Sequence, residues 1–122
     1  VILADTTLWI DYFRSGNAEM RKQLANAQIA THPFIVAELS LGSLRERGKT
    51  LAYLEMLPQV QVADLSEVRR MIEAQALYSK GIGLTDAHLI ASTLITPSTM
   101  LWARDKRLRS VADGLGIHVN LP

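Results

Sequence analysis

The chain opens with a short apolar run that stops on a carboxylate: Val1-Ile2-Leu3-Ala4-Asp5-Thr6-Thr7-Leu8-Trp9-Ile10-Asp11. Val1 to Ala4 is too short for a helix and shows no polar alternation, which is the pattern of a strand buried on both faces. Leu8, Trp9, Tyr12 and Phe13 then fall at helical spacing, so the strand gives way to a helix at Asp5 or Thr6. In an open parallel sheet the ligand crevice lies beyond the carboxyl ends of the strands, which is where Asp5 would sit. Taken alone, Asp5 needs no more explanation than a helix cap. Its meaning turns on whether the rest of the chain brings further carboxylates to the same place.

The alternation of elements continues to the end. A second helix is predicted from Asn17 to about Ala27, a strand over Gln28 to Thr31, and a third helix from Phe34 to about Leu44 after Pro33. The charged stretch from Arg45 to Lys49 reads as a surface turn. Thr50 to Leu57 reads as a helix stopped by Pro58, and Val60 to Ala63 as a strand. Asp64-Leu65-Ser66-Glu67 is a helix-start signature, with the helix reaching about Ser79. A further helix is predicted over Ala87 to Ile95, a strand over Thr99 to Ala103, a helix over Lys106 to Leu115 and a last strand over Ile117 to Val119. Short apolar strands alternating with one or two helices specify an α/β sandwich with a mostly parallel sheet of about five strands. At 122 residues, 48% of them hydrophobic, the chain suits one domain spanning 1–122. No apolar run approaches the roughly 18 residues of a membrane span, and no signal-peptide pattern opens the chain, so a soluble, non-exported protein is expected.

Four acids have suggestive positions. Asp5 and Asp105 each end a strand, Asp86 opens a helix after a glycine-containing loop, and Glu38 shares a helix face with Ile35, Leu39 and Gly42. An ionised carboxylate on an apolar face is costly unless paired or bound to a cation. Each acid alone has a plain reading, since carboxylates are ordinary helix caps and first-turn residues, and Glu38 at the edge of its stripe could equally reach solvent or an Arg. Brought together at one end of a parallel sheet, they would repel one another and call for a cation. The chain has no Cys, and hard oxygen ligands select Mg²⁺ or Mn²⁺ over Zn²⁺. Such ions can stabilise an in-line displacement at phosphorus. His32, His88 and His118 form no HxxxH-type pair, and no Gly-rich phosphate loop or GxSxG elbow is present. The net charge is only +1, yet Arg104, Lys106, Arg107 and Arg109 cluster around Asp105, which would suit a polyanionic ligand, although a merely solvated basic helix face explains them equally on these residues alone.

These residues resemble the PIN-domain ribonucleases, specifically the VapC-type toxins of bacterial toxin–antitoxin modules. Asp5-Thr6-Thr7-Leu8-Trp9-Ile10 resembles the family's opening motif and Ala37-Glu38-Leu39-Ser40-Leu41-Gly42 its Glu-Leu-x-x-Gly helix. Asp86-Ala87-His88-Leu89-Ile90-Ala91-Ser92 resembles the third acidic motif, and Leu101-Trp102-Ala103-Arg104-Asp105-Lys106-Arg107-Leu108 the fourth. The resemblance implies a three-layer sandwich and a Mg²⁺- or Mn²⁺-dependent endoribonuclease with Asp5, Glu38, Asp86 and Asp105 as catalytic, metal-binding acids. It also implies an RNA substrate held by Arg104, Lys106, Arg107 and Arg109, a homodimer, a protein antitoxin and a cytoplasmic location. Trp9, Tyr12, Phe13, Tyr53, Leu54 and Leu57 are candidates for an apolar groove or dimer face. One departure stands out: where the family has Thr or Ser two residues before the fourth acid, this chain has Ala103, leaving Thr6 or Thr7 to supply a supporting hydroxyl.

Other classes fit less of the chain. A structure-specific DNA nuclease of related fold would use the same acids. A receiver-like signalling domain would use Asp64 as phosphoacceptor, and a catalytically weak interaction module would account for Ala103.

Overall fold

The computed structural model describes residues 1–122. Its centre is β1 (Ile2–Ala4), flanked by β2 (Ile29–Ala30) on one side and β3 (Met100–Trp102) on the other, all parallel. Ile2 pairs with both Ile29 and Met100, and Ala4 with Trp102. Single parallel bridges extend each edge, Thr31 to Gln59 beyond β2 and Leu101 to His118 beyond β3. The five predicted strands are thus three strands and two one-residue edges. The stretch from Val60 to Ala63 pairs only where Pro58 O accepts from Thr31 N and Val60 N donates to Thr31 O, at 2.8 and 3.1 Å.

Seven helices cover the sheet: α1 (Thr6–Ser15), α2 (Ala18–Ala25), α3 (Pro33–Ser40), α4 (Arg47–Met56), α5 (Leu65–Ala74), α6 (Leu84–Ile95) and α7 (Lys106–Gly114). α1 packs on α3 and α3 on α4, while α5 and α6 form a second group with α6 against β3. Ile2, Leu3, Ala4, Ile29, Ala30, Leu101 and Trp102 are all buried, so both faces of the sheet are covered, as the unbroken apolar run at the start requires. The core around them is one cluster running from Ile2 to Ile117, with Trp9 and Trp102 its largest members.

Two helices are shorter than their sequence patterns predict. α3 stops at Ser40 instead of Leu44 because the Arg47 guanidinium reaches back to the carbonyls of Ser40 and Gly42, satisfying orphan groups of the helix end. The same arginine begins α4, so the segment read as a surface turn from Arg45 to Lys49 is helical from Arg47 onward. α5 stops at Ala74 rather than Ser79. Ala76 takes a left-handed conformation at φ +52°, and Leu77 N donates to Ile72 O at 2.9 Å, wrapping the terminus.

His32 ties β2 to α3. Its Nδ1 accepts from Phe34 N at 2.9 Å, capping the helix that carries Glu38, while its ring is fully buried and 6.4 Å from that of His88. Burial, with the nearby His88 adding to it, lowers the His32 pKa to about 4. The folded state therefore favours neutral His32, and this stability is present above the ordinary value of 6.5 and lost as pH falls toward 4. His32→Asn keeps a capping side chain but cannot take up that proton. Denaturant titrations between pH 7 and 4 should show a shallower acid loss of stability in the variant than in the wild type.

Candidate active site

Asp5 ends the central strand and begins α1. Its amide donates to Trp102 O at 3.0 Å, holding it beside the end of β3, and its Oδ1 accepts from Leu8 N at 3.1 Å. Asp105 repeats the arrangement one strand over, capping α7 through Leu108 N at 3.0 Å. Asp86 sits in the first turn of α6 and reaches back to Gly83 N at 3.2 Å. Asp5 and Asp105 are therefore N-caps and Asp86 a first-turn acid accepting from the cap amide, as the plain reading has it, and each retains an oxygen that these bonds do not use.

Their electrostatics go beyond capping. Asp5 is 5% exposed, and its pKa rises to about 6, chiefly through burial and further through the charges of Asp86 and Asp105. The backbone amides of Leu8 and Arg104 counter this only in part. Asp86 is raised by burial first, then by the charges of Asp105 and Glu38. Four carboxylates from β1, α3, α6 and the β3–α7 junction thus lie within electrostatic reach of one another. No three of them already stand gathered as a coordination shell. The donor set still suits a hard divalent cation: the oxygens are all carboxylate, and the excess negative charge around Asp5 lacks a compensating cation among the groups that perturb it.

Glu38 takes the stripe-edge placement, one of the two that its sequence leaves open. Ile35 and Leu39 are buried, but Glu38 is exposed at the edge of their stripe, so burial does not force it to find a cation. It is held instead by the Thr6 hydroxyl, which donates to Glu38 Oε1 at 2.6 Å. Thr6 therefore serves Glu38 rather than standing in for the hydroxyl missing at Ala103. Thr7 is exposed and makes no side-chain hydrogen bond. Beside Ala103, the buried imidazole of His118 lies with Nε2 3.1 Å from both the amide and the carbonyl of that residue.

The basic cluster divides. Arg104 is paired with Asp11 at 2.8 Å, pinning the β3–α7 junction to α1, and so is not a free phosphate ligand. Lys106 and Arg109 are exposed and free of ion pairs, whereas Arg107 lays its side chain over Gly81, where an added Cβ would come within 2.8 Å of Arg107 Cδ. Among the proposed groove residues, Trp9 and Leu54 are fully buried in the core, Tyr12, Phe13 and Leu57 are half-buried, and Tyr53 is 43% exposed. Asp64 is exposed and caps α5 in a capping box with Glu67, which accounts for its lowered pKa and leaves the receiver reading without a phosphoacceptor pocket.

The PIN domain family model matches residues 2–114. The chain is also 34% identical over 117 residues to Ribonuclease VapC32 of Mycobacterium tuberculosis, in two strains, covering 96% of this chain and 94% of the relative. The chain belongs to the PIN-domain family, among its VapC-type ribonucleases.

The buried Asp5 makes a prediction of its own. Its folded-state pKa lies above the ordinary 3.8, so the native state binds the proton more tightly than the unfolded chain, and stability falls as pH rises from about 4 through about 6. Without divalent metal, Asp5→Asn, which keeps a cap and cannot ionise, should be more stable than wild type at pH 7.5. The expected gain, measured by urea unfolding, is up to about 3 kcal/mol and vanishes near pH 4.

Proposed function

We propose that this chain is a Mg²⁺- or Mn²⁺-dependent endoribonuclease, acting as the toxin of a toxin–antitoxin pair. Its working form in this reading is a cytoplasmic homodimer of single-domain chains, restrained by a protein antitoxin. No helix is long and apolar enough to cross a membrane. The observation that carries the reading is the mutual repulsion of Asp5, Asp86 and Asp105 around one buried carboxylate, together with Glu38. The likeness to Ribonuclease VapC32 supports RNA as the substrate over DNA.

Asp5, Asp86 and Asp105, with Glu38, would hold the cation. When bound, such an ion supplies Lewis-acid stabilisation of the charge that develops at phosphorus. The chain's own groups do the rest. The backbone hydrogen bonds of the three aspartates fix them at helix N-termini, so that little side-chain freedom is lost when the site forms. Thr6 orients Glu38, and the exposed Lys106 and Arg109 attract the phosphate backbone. In the hydrolysis, water adds to phosphorus and an ester oxygen leaves, with no covalent bond to the protein.

Asp5→Asn should lower Mg²⁺-dependent cleavage of single-stranded RNA by more than about 100-fold, since even outer-shell changes at metal sites cost 10–100-fold. Equal cleavage by wild type and variant, or by wild type in excess chelator, would overturn the reading, and DNA assayed in parallel decides the substrate. Thr6→Val should lower kcat about tenfold, the worth of one hydrogen bond to a charged group, with little change in KM. A change confined to KM would instead assign Thr6 to substrate binding.

A further inference from the structure

Next to Glu38 a cleft of about 540 Å³ opens between α1 and the loop joining α3 to α4. Ile10, Phe13 and Arg14 of α1 line one side, and Glu38, Gly42 and Arg45 belong to the other. We propose that this cleft is a nucleotide subsite for the RNA strand, taking one base against Phe13 and an adjoining phosphate at Arg14 and Arg45. The proposal rests on the ribonuclease reading above and extends it to where the strand lies beyond the scissile bond.

Charge argues for this occupant. The arginines of this surface have different fates: Arg104 is spent on Asp11 and Arg47 on backbone carbonyls, whereas Arg14 and Arg45 are exposed and form neither an ion pair nor a side-chain hydrogen bond. Of the two acids lining the cleft, Glu46 pairs with Lys49 at 3.6 Å, and Glu38 keeps its charge while accepting from Thr6, as a group that would share a cation with the other acids must. With Glu38 turned to that role, the cleft offers a phosphate two guanidiniums without partners.

Shape and continuity agree. The volume falls in the range of about 300–1,000 Å³ that encloses a small organic ligand, enough for one nucleotide. Phe13 is braced by Trp9 and Tyr12, with ring centroids 5.6 and 5.7 Å away, so it presents a fixed aromatic surface of the kind on which bases stack. Because Glu38 belongs both to the cleft and to the group of carboxylates, a nucleotide here adjoins the one undergoing cleavage. Lys106 and Arg109 follow Asp105 on α7 and add exposed cations next to the fourth acid.

The test uses Gly42 to fill the cleft. A Cβ there would meet only the Leu39 carbonyl oxygen, at an ordinary 3.6 Å, so a larger side chain is accepted without backbone strain. In the non-cleaving Asp5→Asn protein, Gly42→Phe and, separately, Arg45→Ala should each weaken binding of a fluorescent single-stranded RNA about tenfold by anisotropy. Arg45→Ala should also reduce the salt dependence of binding by about one ion. Unchanged affinity and salt slope in both variants would overturn the subsite even where wild type cleaves RNA. If those variants bound RNA normally but escaped inhibition by a protein partner, the cleft would be a protein site and the proposal would equally fall. Arg45 is exposed, so its variant tests the idea even if Gly42→Phe fails to fold. A wild type that cleaves no RNA in Mg²⁺ or Mn²⁺ would count against the ribonuclease reading itself.

Discussion

The structure depends on one costly placement, an aspartate buried at the end of the central strand. β1 must be apolar to be covered on both faces, and its parallel neighbours end at the same level. Asp5 follows at once, with no loop to carry it into solvent, and its pKa of about 6 records the cost. Burial is the larger part of that cost, and the charges of Asp86 and Asp105 add to it. A fold optimised for stability alone would place an Asn or Ser there, since either caps a helix without a buried charge. The acid makes sense where a cation relieves it, which is the usual exchange of stability for function at a binding site.

Capping lets the chain hold such acids in place without a cation. Asp5, Asp86 and Asp105 each accept a backbone amide at a helix start, and the helix dipole offsets part of the repulsion. The capping oxygens are committed to backbone amides, so a metal would be met by the remaining ones. Glu38 is held by a different device, the side-chain hydroxyl of Thr6, the residue directly after Asp5. β1, α1 and α3 are thereby linked at the point where the carboxylates meet.

Much of this was legible in the residues. The strand–acid–helix pattern at Asp5 and again at Asp105 needs only local rules of burial and capping, and both positions fold as those rules predict. What escaped was set by distant partners. α3 ends early because Arg47, seven residues beyond Ser40, supplies its terminal hydrogen bonds. Arg104 loses its freedom to Asp11, 93 positions away in sequence. The strand expected over Val60 to Ala63 is replaced by one bridge at Gln59, just before it, and that over Ile117 to Val119 by one at His118, because an apolar run reports burial and not pairing. Glu38 stayed ambiguous for a subtler reason: a helix stripe fixes which residues share a face, while the point at its edge where a side chain leaves the core is set by what packs against the helix.

That packing also determines what the acids can act on. α1 starts at the buried aspartate, donates Thr6 to Glu38, and runs on through Ile10, Phe13 and Arg14 along the cleft. Any shift of α1 that loosens Glu38 would also reshape the cleft beside it. Asp11, on the same helix, pairs with Arg104 next to Asp105, so α1 is tied at both flanks of the carboxylate group. An exposed pair of this kind contributes little to global stability. What it does supply is a contact between the residue preceding the fourth acid and the helix that starts at the first, so that both acids share α1 as a support.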